Sequence, residues 1–267
     1  AEQGWVRKHP QVTVVSGQHP PYLYKDSNDH WVGLNVDMLE RISRMTGLKF
    51  VHKEVTSTEE SIKLLRSGQA DMSTTLAENN ERERFLDFTY SFGGSSWVFV
   101  SRESETSPVS LKTLSGRTLA LPARHALEDY VRRNYPDIRI LSVDTYEQAR
   151  RMVKDGQADA TIQSEAGANL PPLDALKVGR NVEGQWSSDR FSVVQSEPEL
   201  LSILNKALEE FPVAEMRAIR LKWLGSVAVQ PPVWQRIPGW VYWAVAVALI
   251  VGLISLVWSG RLKVQIQ

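Results

Sequence analysis

The chain has 267 residues, 42% of them hydrophobic and 23% charged, within the ordinary globular range, so a packed core is expected. Its 31 basic and 31 acidic residues cancel, and no global field points to nucleic acid or to an acidic surface as partner. Cysteine is absent, which excludes a disulfide framework and thiol chemistry.

Residues 1–9, AEQGWVRKH, read as a short amphipathic lead-in that Pro10 breaks before an apolar strand at Val12 to Val15. GQHPPYLYKDSNDHW, with two prolines and a polar turn, is a loop. In NVDMLERISRMTG, residues Val36, Leu39, Ile42 and Met45 share one helical face, and Gly47 is a helix stop. LKFVHKEV reads as a strand and TEESIKLLRSG as a helix ending at Gly68. This β-loop-α-β-α-β series predicts a mostly parallel sheet with helices packed on it.

A second stretch repeats the plan. RTLALPA is a strand, HALEDYVRRNYP a helix, IRILSV a strand, TYEQARRMVKDG a helix ending at Gly156, and ADATIQ the next strand. FTYSFGGSSWVFVSRE and DRFSVVQSE read as strands crossing between two lobes. PELLSILNKALEEFPVAEMRAIRLKWLG, with Leu200, Ile203, Leu204, Leu208 and Phe211 in helical spacing, returns to complete the first. The tetrapeptide GQAD occurs at Gly68 to Asp71 and again at Gly156 to Asp159, each time where a helix ends and a strand begins. Glycine permits the left-handed turn, alanine packs on entry to the strand, and aspartate can hydrogen-bond the turn. The repeat is therefore architectural, and it directs attention to the residues after each copy, because ligands bind beyond the carboxyl ends of strands in such sheets.

Ile237 to Trp258, IPGWVYWAVAVALIVGLISLVW, carries no charge, and a helix of that length spans roughly 30 Å, the thickness of a bilayer core. Trp240, Tyr242, Trp243 and Trp258 sit near its ends, where aromatic rings favour the headgroup layer, and Arg261 and Lys263 weakly favour a cytoplasmic C-terminus. A transmembrane helix is expected there. With Ala1 first and the chain stopping shortly after the span, the sequence reads as a piece of a longer protein.

The ordered motifs VTVVSGQHPPYLY, GLNVDMLERISRMTGLKF, IKLLRSGQADMSTTLAENNERERFLDFTYSF, LKTLSGRTLALP, ARRMVKDGQADATIQSE and EPELLSILNKAL with RLKWLG resemble the family 3 periplasmic solute-binding proteins. The resemblance runs from about Pro10 to Gly225. With a membrane helix following, the chain is similar to the sensory region of membrane-bound sensor histidine kinases, including those with tandem flytraps. The resemblance implies an α/β, two-lobe Venus flytrap (periplasmic binding protein-like, type II) with a C-terminal transmembrane helix. Its expected divisions are a lead-in linker at 1–9, a first lobe from 10–100 and 195–225, and a second lobe at 101–194. A juxtamembrane linker at 226–236, the membrane helix at 237–258 and the start of a cytoplasmic segment at 259–267 come after them.

The resemblance also implies site residues. Arg82 matches the family arginine that grips the α-carboxylate of amino-acid ligands, and a planar guanidinium suits that bidentate grip. Thr75 and the backbone near Ala77 fall where the family contacts the ligand amine, although either could cap a turn. His19 falls where an aromatic covers the ligand; Tyr22 either joins it or belongs to the core. Ser164 stands where the family has an aspartate for the α-ammonium, and a neutral hydroxyl cannot supply that charge; Glu165 beside it is aimed away by strand alternation. Arg124 and His125 occupy a strand-to-helix loop suited to anions. Arg82 and Arg124 facing each other would favour an anionic ligand; alternatively Arg124 bridges the lobes.

No HExxH, GxSxG elbow or Walker loop is present, the five histidines are scattered, and no catalysis, metal or cofactor is expected of this segment. The expected function is periplasmic sensing of an amino acid or organic acid, at a bacterial inner membrane, within a homodimeric sensor kinase whose kinase domain lies elsewhere and which carries a possible second flytrap. The alternatives are a ligand-free flytrap relaying contacts from a neighbouring flytrap or partner protein, and a membrane-anchored transport solute-binding protein.

Overall fold

The structure, a computed structural model, describes residues 2–171 and 173–225. In chain order α1 (Glu2–Lys8) leads to β1 (Gln11–Ser16), β2 (Tyr24–Lys25), β3 (Trp31–Val32), α2 (Leu34–Thr46), β4 (Lys49–Glu54), α3 (Thr58–Arg66) and β5 (Met72–Ser73). Then come β6 (Leu86–Phe88), β7 (Gly93–Arg102), β8 (Thr118–Pro122), α4 (Glu128–Asn134), β9 (Arg139–Val143), α5 (Tyr146–Lys154), β10 (Ala160–Ser164) and α6 (Glu165–Ala168). β11 (Leu176–Asp189), β12 (Ser192–Val194), α7 (Pro198–Glu209) and α8 (Val213–Leu224) complete the described chain.

Strand alternation decides the layers. In β1, Val12 and Val14 face one apolar core with Leu34, Met38 and Ile42 of α2, while Val15 faces another with Ile62 and Leu65 of α3. β7 behaves likewise: Trp97 and Phe99 enter one core of the second lobe, Val98 and Val100 the other. Each sheet is thus apolar on both faces and covered on both by helices, as parallel α/β sheets require.

The first sheet has strand order β4-β1-β5-β12-β6, with β1 parallel to β4 and β5 and with β12 antiparallel to β5 and β6. The second has order β11-β7-β10-β8-β9, with β8 parallel to β9 and β10 and with β7 antiparallel to β10 and β11. Two α/β lobes result, as expected. Because all of β7 pairs within the second sheet, the chain changes lobe between Phe88 and Gly93, upstream of the boundary expected at residue 100. It returns between Asp189 and Ser192. β11 was not legible in the sequence; its register slips twice against β7, so its side chains keep no regular alternation.

The two GQAD copies build the same brace. Gly68 and Gly156 take left-handed φ values of 69° and 76°, and Ala70 and Ala158 are buried. The Asp71 carboxylate accepts the Thr13 N–H at 2.6 Å while its own N–H donates to the Thr13 carbonyl at 2.9 Å. Asp159 does the same to Thr118, at 2.7 and 2.8 Å. Each aspartate therefore ties its strand to the neighbouring strand of its own lobe.

The long C-terminal helical region is two helices, α7 and α8, divided at Pro212. α8 returns over α2, where Met216, Ile219 and Trp223 pack on the first core. The lead-in is itself helical, α1, with Trp5 and Val6 on that core. Among the described residues no helix is long and apolar enough to cross a membrane. The expected membrane helix at 237–258 and its flanks at 226–236 and 259–267 lie outside the described residues.

Candidate functional site

The segment leaving β1 carries His19 and Tyr22 and is pinned by backbone bonds from Leu34 N–H to the Pro21 carbonyl and from Asn35 N–H to the Tyr22 carbonyl. Gly33 makes this docking possible: its φ is 129°, and a Cβ there would overlap the Tyr22 carbonyl. Asn35, at the start of α2, reaches the segment after β5 with an amide N–H···O bond to the Thr74 carbonyl at 2.8 Å. Thr75 and Ala77 come next, and a short 3₁₀ turn positions Arg82, whose N–H donates to the Asn79 side chain at 2.9 Å.

Arg82 is 3% exposed. One arm of its guanidinium donates to the Ala77 carbonyl of its own lobe, the other to the Arg124 carbonyl of the second lobe at 2.7 Å. Burial pulls it down to about 10, still fully charged at neutral pH. The nearby Arg124 charge lowers it further, while the Arg124 guanidinium is engaged elsewhere. Arg124 has a left-handed φ of 62°, and its guanidinium pairs with Glu81 of the first lobe at 3.3 Å. Arg124 thus bridges the two lobes through Glu81 in this structure.

Aromatic rings continue the junction. His19 of the first lobe, packed beside Tyr22, meets Tyr146 of the second with ring centroids 5.2 Å apart, and Tyr146 continues to His125 at 5.7 Å and thence to Trp97. Enclosure pushes the His19 imidazole down to about 4. Burial, with Arg82 and His19 adding, takes His125 to about 3, so both rings are neutral at neutral pH. Burial raises Tyr22 to about 12 and raises Tyr146 as well.

His19, Tyr22, Thr75, Ala77, Arg82, His125 and Ser164 all line one cavity of about 110 Å³ between the lobes; Arg124 is not on its wall. Ser164 caps α6, its hydroxyl accepting the Gly167 N–H at 3.3 Å, and Glu165 is exposed and off the wall, so it does not replace the missing acid. Asp189 does line the cavity, but Arg220 of α8 holds it at 2.8 Å, and burial raises its pKa against that pairing. Sequence reasoning missed Asn35, Thr74, Trp97 and Tyr146, which share the wall. Tyr146 had a usable signal: it lies just past the carboxyl end of β9. No cluster suited to a metal ion occurs among the described residues.

Two α/β lobes joined by two chain crossings, with a polar and aromatic cavity between them, define a two-lobe solute-binding protein. The chain belongs to the bacterial extracellular solute-binding proteins, family 3, whose family model matches residues 12–226. It is 31% identical to the virulence sensor protein BvgS of Bordetella pertussis over all of this chain and 22% of that protein. It is 26% identical to the sensor protein EvgS of Escherichia coli K12, over 97% of this chain and 22% of EvgS. The chain therefore spans about a fifth of the length of these curated relatives. Among solved structures, the periplasmic VFT2 domain of Bordetella pertussis BvgS is similar with a TM-score of 0.74 and 32% identity, covering 83% of this chain and 97% of that one.

Proposed function

We propose that this chain is the periplasmic sensing flytrap of a membrane-bound sensor histidine kinase, anchored through residues 237–258, and that its output is a change in the closure of its lobes. The similarity to BvgS and EvgS supports the sensor reading, and the uncharged stretch Ile237 to Trp258 supports the anchor. The observation that carries closure as the signal is Arg82, which holds a carbonyl of each lobe at once. Opening must break that grip together with the Glu81–Arg124 pair and the His19–Tyr146 contact. A ligand acts on this equilibrium only through a difference in affinity between open and closed forms.

The ligand is a small solute, because the cavity of about 110 Å³ lies below the ~300–1,000 Å³ of drug-sized pockets. A carboxylate is its anionic group, and at Arg82 it takes the place of the Arg124 carbonyl. A second reading, a flytrap that relays contacts from a neighbouring domain without a ligand, is favoured by the same saturation of Arg82. Thermal-shift screening of residues 1–225 against amino and organic acids separates the two. Stabilisation that is lost in Arg82→Ala supports ligand sensing. No stabilisation by any compound, with signalling retained in Arg82→Ala, supports relay.

A further inference from the structure

Three residues that line the cavity each carry a buried side-chain atom with no partner among the described residues: Asn35 Oδ1, the Thr74 hydroxyl and His125 Nε2. The residues are 2%, 5% and 5% exposed. Buried polar atoms in folded proteins nearly always have partners, so three unpartnered ones among the residues of one wall point to a place that receives a polar group.

Their hydrogen-bonding senses are fixed by bonds already made. His125 Nδ1 accepts the Leu127 N–H at 3.1 Å, and the ring is neutral, so its proton sits on Nε2, which can only donate. Asn35 donates its amide N–H to the Thr74 carbonyl, so its unpartnered Oδ1 can only accept. Thr74 can do either. The donor lies on the second lobe and the acceptor on the first, so a group that meets both would span the cleft.

The guest must both donate and accept. An ammonium would leave the His125 N–H unmet, and the buried acid of the wall, Asp189, is already held by Arg220. A carboxylate would leave Asn35 Oδ1 facing lone pairs. A planar carboxamide offers a carbonyl oxygen to His125 and an N–H to Asn35 from separate atoms. Resting on the reading that this cleft admits a ligand, we propose that His125, Asn35 and Thr74 form a subsite that selects a primary carboxamide on that ligand.

The test uses the full chain in detergent micelles, labelled with ¹⁵N at histidine, titrated with butyramide, butyrate, butylamine and butanol. Butyramide is expected to shift the His125 Nε2 resonance and to bind at least tenfold more tightly than the other three. His125→Phe, which keeps a ring in the same space, should weaken butyramide at least tenfold without changing the far-ultraviolet circular dichroism. If butyrate binds best and Arg82→Lys abolishes it, the carboxamide subsite is wrong while ligand sensing stands. Preference for butanol or butylamine, or the absence of a His125 shift with butyramide, overturns the subsite equally. If none of the four binds and the amino and organic acid screen is also blank, ligand sensing itself falls.

Discussion

Arg82 meets Arg124 through the backbone: its guanidinium donates to the Arg124 carbonyl at 2.7 Å, while the Arg124 side chain turns away to Glu81 at 3.3 Å. Two cations thus share one junction, and each lobe lends a charged arm to an oxygen of the other.

Arg82→Lys should open the lobes while preserving charge. A lysine presents a compact point charge and cannot fork to the Ala77 and Arg124 carbonyls together. Hydrogen bonds to charged groups contribute about 1.5–3 kcal/mol, so urea unfolding should show a loss of that order. Small-angle scattering should show a larger radius of gyration; an unchanged radius would exclude the clasp.

Glu81→Gln should do much less to stability. Its pair with Arg124 is partly exposed, and such pairs contribute about 0.2–1 kcal/mol. A double-mutant cycle with Arg124→Gln measures the coupling directly, and a value above about 1.5 kcal/mol would show a stronger pair than the exposure allows.

Acid should destabilise the closed form. His19 and His125 are held at about 4 and about 3, against ordinary values near 6.5, so the opened or unfolded chain binds more protons below about pH 6.5. Their contribution is whole above that value and is lost as pH falls toward the folded values. Each ring contributes a slope approaching about 1.4 kcal/mol per pH unit within that window. Denaturation midpoints from about pH 7 to about pH 5 should fall, and the double variant His19→Phe, His125→Phe should flatten the slope; an equal slope in wild type and variant would refute this.

Asp71→Ala and Asp159→Ala should each weaken the lobe they brace. Each removes the acceptor for one strand N–H, Thr13 in the first lobe and Thr118 in the second, for an expected loss of about 1–3 kcal/mol. Hydrogen exchange should rise at Thr13 in one variant and at Thr118 in the other, without crossing lobes.

Gly33→Ala should damage the site through the backbone. A Cβ at φ 129° overlaps the Tyr22 carbonyl, so the loop bearing His19 must lift from α2. Its signature is greater exposure of Tyr22 to solvent in fluorescence quenching, and no change there would place the strain elsewhere.

The repeated features were legible in the sequence because they are local. A glycine after a helix, an aspartate entering a strand and apolar residues at helical spacing need only their neighbours, and GQAD could be read twice for that reason. The cleft was legible in part: strand ends pointed to the segments holding Thr75, Arg82 and Ser164, a strand-to-helix loop to His125 and the family resemblance to His19, all of which share one wall. What escaped depends on contacts between lobes. The direction of the Arg124 side chain is set by Glu81, distant in sequence, and its left-handed backbone has no glycine to announce it. Asn35 looked like an ordinary helix start and becomes part of the wall only when Thr74 docks beside it. β11 slips register against β7 and so carries no period to detect.

The placement of β12 has a consequence for how the chain assembles. The second lobe runs without interruption from Gly93 to Asp189, but the first sheet needs β12, Ser192–Val194, between β5 and β6. A chain growing from its N-terminus therefore holds every strand of the second lobe before it holds the strand that joins β6 to the first sheet. Folding in that order would complete the inserted lobe first and leave the enclosing lobe waiting on a distant partner. Until that partner arrives, β5 and β6 stand as two unmatched edges, and the junction at Arg82 has only one finished side.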